Sequence, residues 1–494
     1  MTCAIIQCGD HFENQSRILP LALHLADAGI KPVILLYSKT ASRLFEHHAI
    51  DSIYLDDYRK NADLVIAAFP FDYEKVFKIE RARAYYRFNT PGKVKREKYK
   101  IDRDYSAINC IFDEYAPDYV FIWNGFTGNV ANLLRVTCDS RPVLGTWYME
   151  RAFFNNSLFI DPDGVNAAAS IAKYFDSSYD EREIPSDYVE GKGIAELQNV
   201  DAIRPFDSNY IFLPLQVQTD TNSILYSPCI KKMRALVIAI ADAVSYVNQN
   251  LGRDLKVIVR QHPEEVDKNL NLPLHPIVYY RNEGSIRDWC FHSEAVVNVN
   301  STVGMEALYL GKEVVSFGRS LYSHDRIQTA ASPDNINKEL LSLLGTNETA
   351  FDKVQIESFF KFLFFYNTCN LDNFPDCVRE KIGAETESQE KRFSQDGVFK
   401  DFLTGKDNIK VACYLSHKTR LNLTYRKSEV EVSPDLYRKM FQSRYKYCGP
   451  IHFELLNEPA VAKEYDLVIR DRYHDDLSIQ HDIILDEYLS LTSK

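Results

Sequence analysis

No stretch of this 494-residue sequence approaches the ~18 consecutive apolar residues that a membrane-spanning helix needs. The opening residues, MTCAIIQCGDHFENQSR, have no basic n-region, and their apolar run is too short for a signal peptide. A cytoplasmic chain is therefore expected. Ten cysteines are scattered without a C-x-x-C pair or zinc-ligand spacing, which speaks against a metal finger and fits reduced, mostly buried thiols. A basic excess is also missing. With 58 Lys and Arg against 69 Asp and Glu, the net charge of −11 argues against nucleic-acid binding, which needs a clustered basic surface. The most basic stretch, KVKREKYK at 93–100, is short and reads as a solvated helix face, or else as a patch that approaches anionic lipid or an anionic acceptor. Internal repeats and low-complexity segments are absent too.

What is present is an ordinary globular composition, 45% hydrophobic and 26% charged, with aromatics somewhat enriched at 13%. The length allows two or three domains. β-rich apolar runs at 4–7, 32–37, 52–55, 64–67, 119–123 and 143–148 predict strands, with helical spacing at 17–28 and 128–136 between some of them. This rhythm predicts a parallel sheet covered on both faces, with ligands at the carboxyl ends of its strands. A second series has strands at 210–215, 255–259, 277–280, 295–299 and 314–317 and a long helix near 231–250. The expected fold is α/β and GT-B-like, two Rossmann-like domains facing across a cleft, plus a C-terminal extension. The expected boundaries are 1–200, 201–383 and 384–494. The aromatic stretch FFKFLFFYN reads as a buried helix, AETESQEKRFSQDG at 384–397 as a linker, and 400–494 carries no motif.

Four stretches fall at predicted strand ends. In VIVRQHPEE, Pro263 holds His262 extended just past its strand, where an imidazole can meet a phosphate; Arg260 precedes it. In NVNSTVGMEALYLGKEVVSFG, Asn300, Ser301, Thr302, Val303 and Gly304 form the turn from a strand into a helix. Such a turn serves equally as a plain N-cap and as an anion site. Thr302 and Glu306, spaced i, i+4, share a helix face, so hydroxyls and a carboxylate would reach a nucleotide together. The third stretch, TWYMERAFFNNSLFIDPDGVNAAAS, supplies Glu150, Arg151, Asn155, Asn156, Asp161, Asp163 and Asn166; its DPDG reads as a turn rather than a metal site. The fourth, IFLPLQVQTDTNS, supplies Gln216 and Asp220. Asn124 and Gly125, in IWNGF, end another strand and are assigned to the acceptor side, or to a simple strand-end turn.

As a set, these stretches resemble the capsule-polysaccharide synthesis proteins of Gram-negative bacteria, in particular the retaining β-Kdo transferases (Kdo is 3-deoxy-D-manno-oct-2-ulosonic acid). That family carries E-x-x-[FY] running into an acidic residue and G-V-N, which Glu150 through DGVN resembles; Q-V-x-x-D, matched by QVQTD; an H-P element at His262-Pro263; and N-S-T-V-G-x-E-A-L, matched over 300–308. The likeness covers roughly residues 120–320. Where family members often have G-Y-x-R-P after the Glu, this chain has RAFFNNS, and residues 400–494 have no counterpart. The resemblance implies a CMP-activated ulosonic acid donor, a glycan or glycolipid acceptor, no metal or other cofactor, and double displacement through a covalent aspartate adduct. Asp220 and Glu150 would be nucleophile and acid/base, a pairing that retention at an anomeric carbon needs. The departing phosphate would meet His262, Ser301 and Thr302, and the donor carboxylate would meet Arg260 or Arg151. Action on lipid-linked glycans would place the enzyme at the inner face of the cytoplasmic membrane, in peripheral contact with it or with other assembly enzymes. Two competing readings are an inverting transferase that uses another nucleotide-activated sugar or polyol phosphate, and an epimerase-like or sugar-binding module using the same phosphate cleft.

Overall fold

The computed structural model describes residues 2–383 apart from 40–43, 63–68, 71, 85–87, 176–181, 190–203, 228, 231, 266–270 and 346–351, and beyond these only three strands at 409–414, 451–456 and 467–470. The expected strand at 64–67 and the linker at 384–397 lie outside the described residues. The chain is α/β and forms two compact units. One comprises 1–65, 106–120 and 386–494; the other comprises 66–105 and 121–385.

In the first unit, β1 (Cys3–Gln7), β2 (Lys31–Leu36) and β3 (Asp51–Tyr54) pair in parallel. All five residues of β1 are buried, as expected of a parallel strand covered on both faces. Helix Phe12–Asp27 is the crossover from β1 to β2. Three further strands, Ile409–Tyr414, Ile451–Leu456 and Leu467–Arg470, make a small parallel sheet with the first of them central.

The second unit holds everything that concerns function. It contains the end of β4 (Tyr119–Trp123), then β5 (Gly145–Arg151) and β6 (Leu158–Asp161). Here the structure departs from an all-parallel expectation, because β5 and β6 are antiparallel, as are β6 and the short strand Thr368–Cys369. The chain reverses through Asn156, held at φ +50°, a left-handed conformation that Asn tolerates. Strand β6 has all four residues buried and so shows no alternation to read.

A six-stranded parallel sheet follows, built from β7 (Tyr210–Pro214), β8 (Lys256–Arg260), β9 (Val278–Tyr280), β10 (Ala295–Asn298), β11 (Val314–Ser316) and β12 (Thr329–Ala330). Their spatial order is β12-β11-β10-β7-β8-β9. Alternation along β7 sends Ile211 and Leu213 to one face, where they pack with Leu236, Val237, Ile240 and Val244 of helix Met233–Leu251. Tyr210 and Phe212 go to the other face and join Trp289 and the phenylalanines of helix Lys353–Asn367. That helix is the expected buried aromatic one. Parallel strands with covered faces put the carboxyl ends of β7, β8 and β10 on one edge, and all the loops discussed below leave from such ends.

Candidate active site

Glu150 sits near the end of β5, and what orients it is the turn after β4. Asn124 and Gly125 take successive left-handed conformations, φ +61° and +76°. A Cβ at position 125 would overlap Tyr148 Cδ1 and come within 2.7 Å of its Cε1, so glycine is required by close approach as well as by φ. The Tyr148 ring in turn stacks on Phe126, centroids 6.0 Å apart. Packed this way, the turn aims Asn124 Nδ2 at Glu150 Oε2, 2.7 Å away, while Arg151 N–H donates to Oε1 at 3.1 Å. Burial raises the Glu150 carboxyl above its ordinary range. The two donated hydrogen bonds and the Arg151 charge pull it down, and the charge of Asp220 pushes it up.

Asp220 caps helix Thr221–Tyr226. Its Oδ1 accepts from Asn222 N–H at 2.6 Å and Ser223 N–H at 3.4 Å. Oδ2 has no hydrogen-bond partner among the described residues. The capped helix packs on helix Tyr73–Arg83 and on the turn Asn166–Ala168, where Asn166 is held at φ +55°. A hydroxyl chain ties this helix to the Glu150 corner. Thr127 Oγ1 donates to Asn124 Oδ1 at 2.9 Å and lies 2.7 Å from Thr221 Oγ1. Since Thr127 has one proton to give, Thr221 is the donor of the second bond.

The remaining sequence candidates surround Asp220 from the six-stranded sheet. Gln216 and Asn300 spend their amides on each other: Gln216 Nε2 donates to Asn300 Oδ1, and Asn300 N–H to Gln216 Oε1, both at 2.9 Å. Asn300 Nδ2 also donates to the carbonyls of Asn222 and Arg319, which pins the end of β10 to the helix capped by Asp220. Both residues hold the edge together rather than face a ligand.

The turn after β10 is similarly self-satisfied. Ser301 N–H goes to Asn298 Oδ1, Val303 N–H to Ser301 Oγ, and Gly304 N–H to Ser301 O. Thr302 is exposed, and its N–H has no partner among the described residues. Gly304 is buried because a fully buried ring, Tyr322, closes over it and donates its hydroxyl to Ser301 O at 2.6 Å. Glu306 is half-buried one turn on. After β8, Arg260 donates Nη1 to Gly284 O at 2.6 Å, and burial lowers its guanidinium pKa. His262 accepts the Glu264 N–H at Nδ1, 3.2 Å, so its neutral ring carries the proton on Nε2. Gln218 N–H donates to Glu265 Oε1 at 3.3 Å and ties the β7 loop to the His262 loop. Among the described residues no three His, Cys, Asp or Glu side chains gather as a metal site.

Residues 169–339 match the family model described as capsule polysaccharide biosynthesis protein. Protein FixF of Sinorhizobium fredii (strain NBRC 101917 / NGR234) is 27% identical over 273 residues, covering 49% of this chain and 64% of FixF, so the chain spans less than two thirds of that relative. Solved structures with some likeness include two from Thermosulfurimonas dismutans KpsC. Its β Kdo 2,7 transferase is 15% identical with a TM-score of 0.34, covering 53% of this chain and 81% of that one. Its β Kdo 2,4 transferase is also 15% identical, with a TM-score of 0.36, covering 54% and 88%. The matched segment contains Gln216, Asp220, Arg260, His262, Asn300, Ser301, Thr302, Gly304 and Glu306. Glu150, Arg151, Asn124, Gly125 and Asn166 precede it.

The structure thus brings Glu150, Asn124, Gly125, Asp220 and Asn166 to one place, with Asn222 and Asn300 linking them to the Ser301 turn. Sequence reading missed Thr127, Thr221, Asn222, Asn298 and Tyr322. No local signal marks them, because each acts through a partner distant in sequence.

Proposed function

We propose that the protein is a retaining glycosyltransferase of surface-polysaccharide synthesis that moves Kdo from CMP-Kdo to a glycan acceptor. The observation that carries this reading is the Glu150–Asp220 pair. The helix that Asp220 caps is tied to Glu150 through Thr221, Thr127 and Asn124. Of the pair, one is half-buried with a raised pKa, the other has a carboxylate oxygen with no partner among the described residues, and in this reading they divide between them the roles that double displacement needs. The match of the segment holding Asp220 to the capsule polysaccharide biosynthesis model supports the reaction class.

In this reading Asp220 Oδ2 attacks the anomeric carbon as the bond to the CMP phosphate oxygen breaks, and the bonding pair leaves with CMP. His262 Nε2–H and the Thr302 N–H and hydroxyl meet the phosphate, and Ser301 braces their turn. Arg260 or Arg151 meets the donor's carboxylate, Arg260 being already anchored on Gly284 O. An acceptor hydroxyl then attacks the glycosyl-Asp220 ester while Glu150 takes its proton, and the Asp220 carboxylate is restored. No metal or organic cofactor enters these steps. Among the described residues no helix is long and apolar enough to cross a membrane. We place the reaction at the cytoplasmic face of the inner membrane, on a lipid-linked or otherwise nascent glycan.

One observation favours a second reading. Asp220 Oδ1 already caps a helix, so the residue has a structural role without any chemistry, and an inverting transferase with Glu150 as sole base would need no more of it.

Intact-protein mass spectrometry with CMP-Kdo generated in situ separates the two. Asp220→Asn is the useful variant, because asparagine keeps the cap while removing the nucleophile. A Kdo-sized adduct on wild type, more abundant in Glu150→Gln and absent in Asp220→Asn, is expected. Near-normal transfer by Asp220→Asn would reject the retaining reading. CMP-Kdo left untouched would reject the donor.

A further inference from the structure

Two carboxylates with different tasks must keep their spacing and orientation, and in this protein a single hydrogen-bonded chain runs between the segments that carry them. Its order is Thr221 O–H to Thr127 Oγ1, Thr127 O–H to Asn124 Oδ1, and Asn124 Nδ2–H to Glu150 Oε2, with lengths of 2.7, 2.9 and 2.7 Å. Each donor proton is used once, so the chain has one direction and ends on the carboxylate. An Asn side chain can turn over and present oxygen where nitrogen was. The Glu150 carboxylate only accepts and so takes Nδ2, and Thr127 O–H supplies the donor that the Oδ1 left behind requires. The chain starts at the residue that follows Asp220, in the helix Asp220 caps.

We infer that Thr221 and Thr127 are positioning residues that lock Asn124 in the rotamer that donates to Glu150, coupling the acid/base to the turn that bears the nucleophile. The inference rests on the functional reading above and adds to it residues that neither the motifs nor the family segment single out. It also reassigns Asn124 from acceptor contact to support of Glu150.

The consequence is a pH effect of known sign. Glu150 must be deprotonated to accept the acceptor's proton, so transfer rises with pH through its pKa. The bond from Asn124 favours the carboxylate, and losing it moves that limb to higher pH. The other groups facing Glu150 do not change in the test. They are Arg151 on its own strand, Asp220 from the capped turn, and uncharged Phe159 opposite it on β6.

The experiment measures transfer from CMP-Kdo against pH for wild type, Thr127→Val, Thr221→Val, Thr127→Ser and Asn124→Gly. Glycine tolerates the left-handed backbone at 124, so that variant removes the amide without strain. Both valine variants should shift the acid limb upward by roughly one pH unit, the scale of one hydrogen bond to a charged group. Thr127→Ser should restore it. Asn124→Gly should show the full shift, with no further shift when Thr127→Val is added. Valine variants with the wild-type limb, or a double variant that shifts further than Asn124→Gly, would overturn the chain while leaving the functional reading standing. Absence of transfer by wild type would overturn both.

Discussion

Gly304→Ala tests how the turn after β10 is held, and the structure sets its size. The added Cβ would overlap the Tyr322 hydroxyl and lie within 2.5 Å of Cζ and 2.9 Å of Asn298 Nδ2. Tyr322 is 1% exposed and has nowhere to retreat. Overpacking of a tight core costs about 1–3 kcal/mol. If the ring yields, the Tyr322 bonds to Ser301 O at 2.6 Å and Asn298 Oδ1 at 3.2 Å weaken, for ~1 kcal/mol more. Alanine's preference for helix over glycine works the other way by ~1 kcal/mol. The net expectation is a loss of about 1–3 kcal/mol. Tyr322→Phe removes the hydroxyl that stands in the way, so the double variant should be more stable than the sum of the single losses predicts, by ~1 kcal/mol. Urea denaturation followed by the fluorescence of Trp289, which shares the Tyr322 cluster, reads both numbers. A Gly304→Ala loss below ~0.5 kcal/mol, or strict additivity, would refute the packing argument.

Three other outcomes follow from the same structure. Asp161 is fully buried and accepts from the N–H groups of Asp163, Gly164 and Ser170, the Ser170 hydroxyl and Asn367 Nδ2, so Asp161→Asn turns an amide toward donors and should cost about 2–4 kcal/mol in denaturant titration. An unchanged midpoint would show that a water or a proton replaces the carboxylate without loss. Asp220→Ala should lose ~1 kcal/mol of stability that Asp220→Asn keeps, since only the cap distinguishes them; equal melting temperatures would deny the cap. For Glu150, the folded carboxyl holds its proton more tightly than the unfolded one. Its contribution is therefore present at low pH and lost as pH rises from the ordinary value of 4.5 through the raised folded pKa. Melting temperatures of Glu150→Gln should gain on wild type across that window, and a pH-independent difference would contradict the burial argument.

Much of the α/β framework is legible in the residues themselves. Runs such as those at 119–123 and 210–215 become strands because β-rich apolar side chains cannot be covered otherwise in a parallel sheet, and the spacing in 231–250 becomes a helix for the same reason. The β5–β6 reversal was hidden because a four-residue strand buried throughout has no period, and an Asn turn resembles any loop. At the site, the motifs pointed to Glu150 and Asp220, yet position alone could not divide ligand-facing residues from bracing ones. Gln216, Asn300 and Gly304 lie in strand-end stretches just as His262 and Thr302 do. Only the tertiary structure shows that the first three are occupied by each other, by Asn222 and by Tyr322.

The sequence by itself determined which elements form and which polar residues reach their ends, because burial and backbone chemistry act over a few neighbours. The tertiary structure alone decided what those residues touch. Asn124 lies 26 positions from Glu150, and Thr127 lies 94 from Thr221, so the partners that set a carboxylate's orientation and charge exist only once the chain has folded.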